Sequence, residues 1–236
     1  MFILMIYLVE LIKNIERSNI MKKKIITVVL GIIAIILIVT VSTHFQNSAT
    51  TTQNNISSNK WTKETFDGLK IGDFDQSGKG GTTYEQIIAK YGRPNKKNKT
   101  KSGNHILTVV SWNNVAGDYT GVTLTFMSQE KSTATARLTS KTLLDAKTIN
   151  LAKKWTMSTY NAVNLENSKT DEHDGDTLAD LTKKYGKPAV LTIAKIGGKP
   201  QTNAVWHNTN GGASGSVSID FSEYNTAVDK KQDKLR

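Results

Sequence analysis

The densest grouping of metal-ligand residue types in this chain is the stretch DEHDGD at 171–176, where four acidic residues surround His173. Carboxylate oxygens and imidazole nitrogens are ligands that divalent cations use. A calcium loop carries acidic residues at alternate positions and a distal bidentate glutamate, and that pattern is missing here. Acidic residues just before a helix are also favoured by the helix dipole. The sequence therefore predicts no metal site.

Two glycine-rich stretches are similar to reactive motifs only in outline. GASGS at 212–216 approaches the Gly-x-Ser-x-Gly nucleophile elbow, but it lies in a turn between predicted strands instead of before a helix. SGKGGT at 77–82 lacks the spacing and the Gly-Lys-Ser/Thr ending of a nucleotide-binding loop. None of the four histidines has an Asp and Ser partner in a catalytic pattern, and the chain has no cysteine. We predict that the protein is not an enzyme and holds no cofactor.

The charge of the chain points to anionic surfaces as partners. The net charge is +11, and lysines dominate it. A basic exterior attracts anionic wall polymers and lipid headgroups without strong specificity. Nucleic acid is the competing interpretation. It is disfavoured because the lysines are scattered and the chain is predicted to be exported.

An apolar segment at 21–41 predicts attachment to a membrane. Three lysines precede an uncharged run at 25–41. This run spans about 25 Å as a helix, the short end for a transmembrane segment. The positive flank predicts a cytoplasmic N-terminal side and an extracellular C-terminal part. A cleaved signal peptide, which would make the protein secreted, is the alternative.

The segments on either side of the apolar run differ from it in composition. Residues 1–20 are an upstream start extension if Met21 is the true start, or else an interfacial amphipathic helix. Residues 42–60 are almost all Ser, Thr, Asn and Gln. Such a segment cannot bury enough apolar surface to fold, so it is predicted to be a disordered polar linker.

The remainder of the chain contains one pattern twice, at an offset of 94 residues. GTTYEQIIAKYGRP at 81–94 aligns with GDTLADLTKKYGKP at 175–188. This is an internal duplication. We predict a first repeat at 61–140, a connector at 141–154, a second repeat at 155–231 and a tail at 232–236. Trp61, Tyr91, Gly92, Pro94 and Trp112 recur as Trp155, Tyr185, Gly186, Pro188 and Trp206.

Each copy begins with two predicted helices. Trp61, Phe66 and Leu69 fall at helical spacing and would bury one aromatic face. The second helix ends where Gly92 suits a positive φ and Pro94 forbids continuation. A capping box that would start this helix is Thr82 with Glu85 or Thr83 with Gln86.

Predicted strands follow the helices. Stretches 189–196 and 201–207 flank Gly197-Gly198, which is typical of a hairpin. We predict an α+β fold: an N-terminal transmembrane helix, then two tandem helix–helix–antiparallel-sheet repeats with helices on one sheet face and the other face open. The first repeat has strands at 95–101, 105–112, 121–126 and 133–140, and the second has further strands at 215–221 and 225–231.

Together, these phrases resemble the β-lactamase-inhibitor-protein-like fold. Phe66, Ile71-Gly-Asp, the glycine loop, TTYEQIIAKYGRP and SWNN carry the likeness, which covers about 61–140 and 155–231. The group that is most similar comprises Gram-positive surface proteins, mostly of unassigned function, and small outer-membrane assembly lipoproteins share the plan. The resemblance implies a tandem sheet that grips a protein. This chain departs from the secreted inhibitor in lacking cysteines and in its predicted anchor.

The candidate partner-binding residues follow from comparing the copies. Trp112 and Trp206 occupy equivalent positions, and either form paired hot spots on an open sheet or serve the core. Features that differ between copies would tune binding. The candidates are Trp112, Tyr119, Trp206, His207, Lys96, Lys97, Lys99 and Lys101.

We predict a membrane-anchored extracellular module that binds an envelope or secreted protein. The alternative is a basic envelope protein that holds anionic wall polymer or lipid headgroups. His105 and the lysines near 96–101 differ between the copies and belong to the same surface hypothesis.

Overall fold

The computed structural model describes residues 61–102, 104–117, 119–129, 135–144, 154–167, 173–211 and 215–236. The predicted extension, anchor and linker (1–20, 21–41 and 42–60) lie outside these residues. Within the part of the chain that is described, no helix is long and apolar enough to cross a membrane.

Among the described residues, each repeat contains two α-helices and four strands. The helices are α1 (Lys63–Asp67), α2 (Tyr84–Tyr91), α3 (Met157–Asn161) and α4 (Leu178–Tyr185), with a 3-10 helix at Phe74–Gln76. The strands are β1 (Lys96–Ser102), β2 (His105–Trp112), β3 (Gly121–Gln129), β4 (Arg137–Leu144), β5 (Val190–Ile196), β6 (Lys199–Trp206), β7 (Ser216–Phe221) and β8 (Ala227–Asp233).

Local chemistry sets the helix ends. Thr62 begins α1 through a capping box with Thr65, and Gly68 caps its other end. Trp61 therefore lies before the helix, where it forms a parallel bridge with Val115. The helical spacing that begins at Trp61 is thus longer than the helix itself, because the threonine cap satisfies the first backbone N–H groups.

The longer helix has the second of the two predicted capping boxes. Thr83 accepts from the backbone N–H of Gln86, and the Gln86 side chain accepts from that of Thr83. Gly92 follows the helix with φ 75°, a conformation that costs little without a Cβ. Ile87 and Tyr91 of α2 are buried, as are Leu181 and Tyr185 of α4.

All strands join one antiparallel eight-stranded sheet in chain order. At its centre β4 pairs with β5, and the hydroxyls of Thr142 and Thr192 lie 3.0 Å apart across that junction. Asp75 of the first repeat also accepts a hydrogen bond from the Gly197 N–H of the second, at 3.0 Å. The repeats therefore share one sheet and are not independent domains joined by a linker.

The helices of each repeat pack against the same face of the sheet. Side chains at alternate positions along the strands meet them, among them Leu124 and Phe126 in the first repeat and Ile219 and Phe221 in the second. In each repeat three aromatic rings form the centre of the core. Trp61 stacks on Tyr91 at 3.6 Å between ring centroids and contacts Trp112, and Trp155 stacks on Tyr185 at 3.8 Å and contacts Trp206.

The last strand of each repeat lies further along the chain than the predicted strand. β4 runs to Leu144, past the predicted end at 140, and β8 runs to Asp233. Register shifts at Thr125/Phe126 and Asp220/Phe221 accompany these pairings. Each shift is a β-bulge, which adds a residue that alternation of apolar residues does not reveal. Leu235, beyond β8, is buried in the second core.

Candidate functional site

The most exposed strand of the sheet is β1. It lies at one end of the strand order and pairs with β2 from Lys96↔Ser111 to Ser102↔His105. Every residue from 95 to 101 is exposed. We call Lys96–Ser102 the lysine edge, because it contains Lys96, Lys97, Lys99 and Lys101.

The pairing register assigns the lysines to two faces. Lys97 is opposite the buried Val110, so Lys97, Lys99 and Lys101 lie on the helix side of the sheet. Lys96 lies on the other face. The Lys97 ammonium donates a hydrogen bond to the Tyr84 hydroxyl at 2.9 Å and lies 4.3 Å from the ring centroid. The first turn of α2 thereby orients one cation of the lysine edge.

The two strand tryptophans lie in the core. Trp112 is 3% exposed and Trp206 is 1% exposed. The Trp112 indole N–H donates to Gly92 O at 3.3 Å, and that of Trp206 donates to Gly186 O at 2.8 Å. Each indole thus connects a strand end to the glycine that terminates a helix. This burial favours the core interpretation of both residues over the hot-spot interpretation, and the proposals below do not use them.

Tyr119 and His207 are not on the lysine edge. Tyr119 is half-buried against the first core, and Lys187 of the second repeat lies with its ammonium 5.6 Å from the ring centroid. His207 follows the end of β6 and is half-buried. Burial lowers the pKa of His207 below its usual value, and a backbone hydrogen bond involving Gly215 opposes that shift.

Burial of His207 predicts a loss of stability in mild acid. With a lowered folded-state pKa, the imidazole contributes stability that is present above the unfolded value of about 6.5 and is lost as pH falls through the folded value. We expect the urea midpoint to drop between about pH 7.5 and about pH 5.5. The drop should be smaller in His207→Gln, which does not titrate. An equal drop in both proteins would contradict this assignment.

The sheet face away from the helices carries a row of polar side chains that alternation alone did not predict. At its centre Thr123, Thr142 and Thr192 are between 2% and 7% exposed. Asn203 donates to Ser218 at 2.9 Å and to Asp220 at 2.6 Å, and burial raises the pKa of Asp220. The middle of this row is therefore closed to solvent, and its two ends, Ser111 and Asp229, are partly exposed. In register across the strands, the row is Ser111, Thr123, Thr142, Thr192, Asn203, Asp220 and Asp229.

The described part of the acidic stretch forms a small network. His173 Nδ1 lies 2.8 Å from Glu166 Oε1, and its ring stacks on Tyr224 with centroids 3.5 Å apart. Thr226 donates to the other oxygen of Glu166, and hydrogen bonds from Thr226 and His173 hold the pKa of Glu166 below its usual value against the effect of burial. Within the described ranges, no group of three or more ligand-type side chains could hold a metal ion.

Two equivalent lysines have a role that the sequence comparison missed. Lys141 donates to the carbonyls of Phe66, Asp67 and Leu69 at 2.8, 2.9 and 3.5 Å. Lys230 donates to the equivalent carbonyls of Tyr160, Asn161 and Val163 at 2.9, 3.1 and 3.0 Å. Each ammonium closes the C-terminal end of the first helix of its repeat. The pair lies 89 residues apart, so an alignment fixed at 94 does not match them.

Comparison with known proteins identifies a family for most of this chain. A family model described as a domain of unknown function with a solved structure (DUF3862) matches residues 58–235. Among solved structures, the chain is similar to a Streptococcus mutans protein provisionally described as a beta-lactamase inhibitor protein. The sequence identity is 18%, the TM-score is 0.43, and the similarity covers 74% of this chain and 96% of that chain. No curated protein matches the chain.

Proposed function

We propose that this chain, which belongs to the DUF3862 family, is a membrane-anchored extracellular module that binds another protein and does no catalysis. The observation that carries the proposal is the arrangement of the sheet. Two repeats form one continuous antiparallel sheet, and one end of it is an exposed strand. A continuous sheet holds its edge in a fixed geometry, which lowers the entropy cost of binding a partner there.

The apolar run at 25–41 and its lysine flank support the anchored, outward orientation. The polar stretch at 42–60 would then separate the sheet from the bilayer. Protease added to intact cells should digest the repeats if they face outward, and should leave them intact if they are cytoplasmic. The non-catalytic assignment is supported by the lack of a catalytic motif in the sequence.

A second function is favoured by the same edge. Four lysines within Lys96–Ser102 could hold anionic wall polymer or lipid headgroups by charge alone. Such binding involves exposed groups and is screened by salt. Binding of a protein through backbone and packed side chains is less sensitive to salt, and this difference separates the two functions.

The test is capture of a partner from envelope of the producing cell. The full chain, in mild detergent, is immobilised and exposed to solubilised envelope at about 0.1 M and about 1 M salt, where the Debye length falls from about 10 Å to about 3 Å. We expect one protein to be retained at the higher salt. That protein, once purified, should bind the chain saturably.

The control variant is Lys183→Thr with Lys184→Thr, which removes two exposed charges from α4. It should retain the protein partner, since both lysines lie on α4 and not on the lysine edge. Recovery of anionic polymer or lipid alone, released at high salt and reduced in this control, would contradict protein binding and favour the second function.

A further inference from the structure

The strand of the second repeat that is equivalent to the lysine edge is paired with a neighbouring strand on both of its sides. β5 is the equivalent of β1 at the offset of 94 and pairs with β6 as β1 pairs with β2. On its other side β5 receives β4, antiparallel, from Ser140↔Ala194 to Leu144↔Val190. The side of β1 that faces away from β2 is therefore the side on which the same strand in the second repeat accepts a neighbour.

The residues of the two strands differ where that neighbour would contact them. Val190, Leu191 and Ile193 of β5 are replaced in β1 by lysines 96, 97 and 99. In β4 the residues opposite Val190 and Leu191 are leucines. A strand with the sequence of β4 would place leucines opposite Lys96 and Lys97 and its own Lys141 opposite Lys99, where like charges repel. An acidic strand would place carboxylates there, and cross-strand pairs of opposite charge are favourable.

We propose that the lysine edge takes up an extended acidic segment of a partner protein as an additional antiparallel strand, which rests on the protein-binding function proposed above. Main-chain hydrogen bonds to the outer edge of β1 supply affinity, and side chains at alternate positions supply specificity. Transferring the β4–β5 register to β1 places partner residues two apart opposite Lys97 and Lys99. The preferred segment therefore carries Asp or Glu at alternate positions.

The orientation of Lys97 supports this choice of partner. Its ammonium is held by the Tyr84 hydroxyl and ring on the helix side of β1, so less side-chain freedom is lost when a carboxylate pairs with it. Lysines on an edge strand also prevent edge-to-edge aggregation. If protection against aggregation is their only role, the lysines repel other strands and select none, so an acidic peptide should not bind. If they select an acidic strand, it should bind.

The probe is a fluorescent peptide, acetyl-Thr-Glu-Val-Glu-Val-Glu-Thr-amide, titrated into the full chain in mild detergent and followed by anisotropy. Three control peptides are matched to it. Two are N-methylated on alternate residues, one in each of the two alternations, which keeps the charge and removes the backbone donors of one strand edge. The third has Lys in place of Glu. The protein variant is Lys97→Thr with Lys99→Thr, and its matched control is Lys183→Thr with Lys184→Thr.

We expect saturable binding of the glutamate peptide, and its affinity should fall at least about tenfold in the Lys97/Lys99 variant. Of the N-methylated peptides, the one methylated on the edge that faces β1 should lose about as much affinity for the unaltered chain. The Lys183/Lys184 variant should bind as the unaltered chain does. If the Lys97/Lys99 variant aggregates, the lysine-for-glutamate peptide on the unaltered chain supplies the charge test, and it should not bind.

Three results would overturn the inference. The first is that the glutamate peptide does not bind, and the second is that the peptides N-methylated in the two alternations bind equally well. The third is concentration-dependent self-association through the lysine edge that the peptide does not displace, which would assign the edge to a second copy of this chain. Retention of the envelope partner by the Lys97/Lys99 variant would reject the lysine edge and leave protein binding intact. If the unaltered chain captured no protein from the envelope, the proposed function itself would be rejected.

Discussion

Trp61→Ala is expected to destabilise the folded repeats by about 3–5 kcal/mol, the usual cost of truncating a large buried aromatic side chain. Trp61 is fully buried, stacks on Tyr91 at 3.6 Å and contacts Trp112. Its removal leaves a cavity between Tyr91 of α2 and Trp112 of β2. Urea denaturation followed by far-ultraviolet circular dichroism would measure the free energy of unfolding.

The continuous sheet adds a second expectation for this variant. Because β4 pairs with β5, loss of the first core exposes the edge of the second repeat, so both repeats should unfold in one transition at a lower denaturant concentration. Tyr224→Ala is the control, since Tyr224 is 54% exposed, and it should change stability by less than about 1 kcal/mol. Two separate transitions in Trp61→Ala would contradict the coupling of the repeats.

Lys141→Met and Lys230→Met are each expected to cost about 3 kcal/mol of stability, although both remove a charge from a strongly basic protein. Burial lowers the pKa of Lys141. Its ammonium is nevertheless satisfied by carbonyls at the end of α1, and Lys230 serves α3 in the same way. Methionine keeps the apolar stem but cannot donate, so the helix-end carbonyls lose their partner while partly buried.

The matched control is Lys231→Met, one residue from Lys230. Lys231 has a side chain that is 49% exposed and pairs with Asp229 at 3.1 Å. Exposed ion pairs contribute little, so this variant should lose less than about 1 kcal/mol. Urea midpoints of the three variants would test the expectation. Equal effects of Lys230→Met and Lys231→Met would show that charge, and not the helix-end contact, determines stability.

Much of the local structure could be predicted from periodicity and turn chemistry. The Thr83–Gln86 capping box, the positive φ at Gly92 and the Gly197-Gly198 hairpin turn are all present. These features depend on residues within a few positions of one another, so sequence patterns describe them well. Where the prediction differed, as at the ends of β4 and β8, a β-bulge had interrupted the alternation.

The candidate site was predicted less completely than the helices and turns. The lysines at 96, 97, 99 and 101 were chosen because they differ between the copies, and the structure places them together on one exposed strand. Trp112 and Trp206 were left between two interpretations, and burial distinguishes these because a hydrogen-bonded core indole offers no surface to a partner. The density of lysines at 96–101 is typical of an edge strand, a signal that comparison of the two copies does not use.

The sequence by itself determined the duplication, the helix–helix–strand order of each repeat and the aromatic residues of both cores, because identical residues at a constant offset impose the same local structure twice. Only the tertiary structure decided that β4 joins β5, that β1 is left as an exposed edge and that Lys141 and Lys230 close helix ends. Strand pairing and buried-lysine contacts connect residues far apart in the chain. Their partners are therefore set by which backbone groups the packed fold leaves unsatisfied, and not by the spacing of residue types.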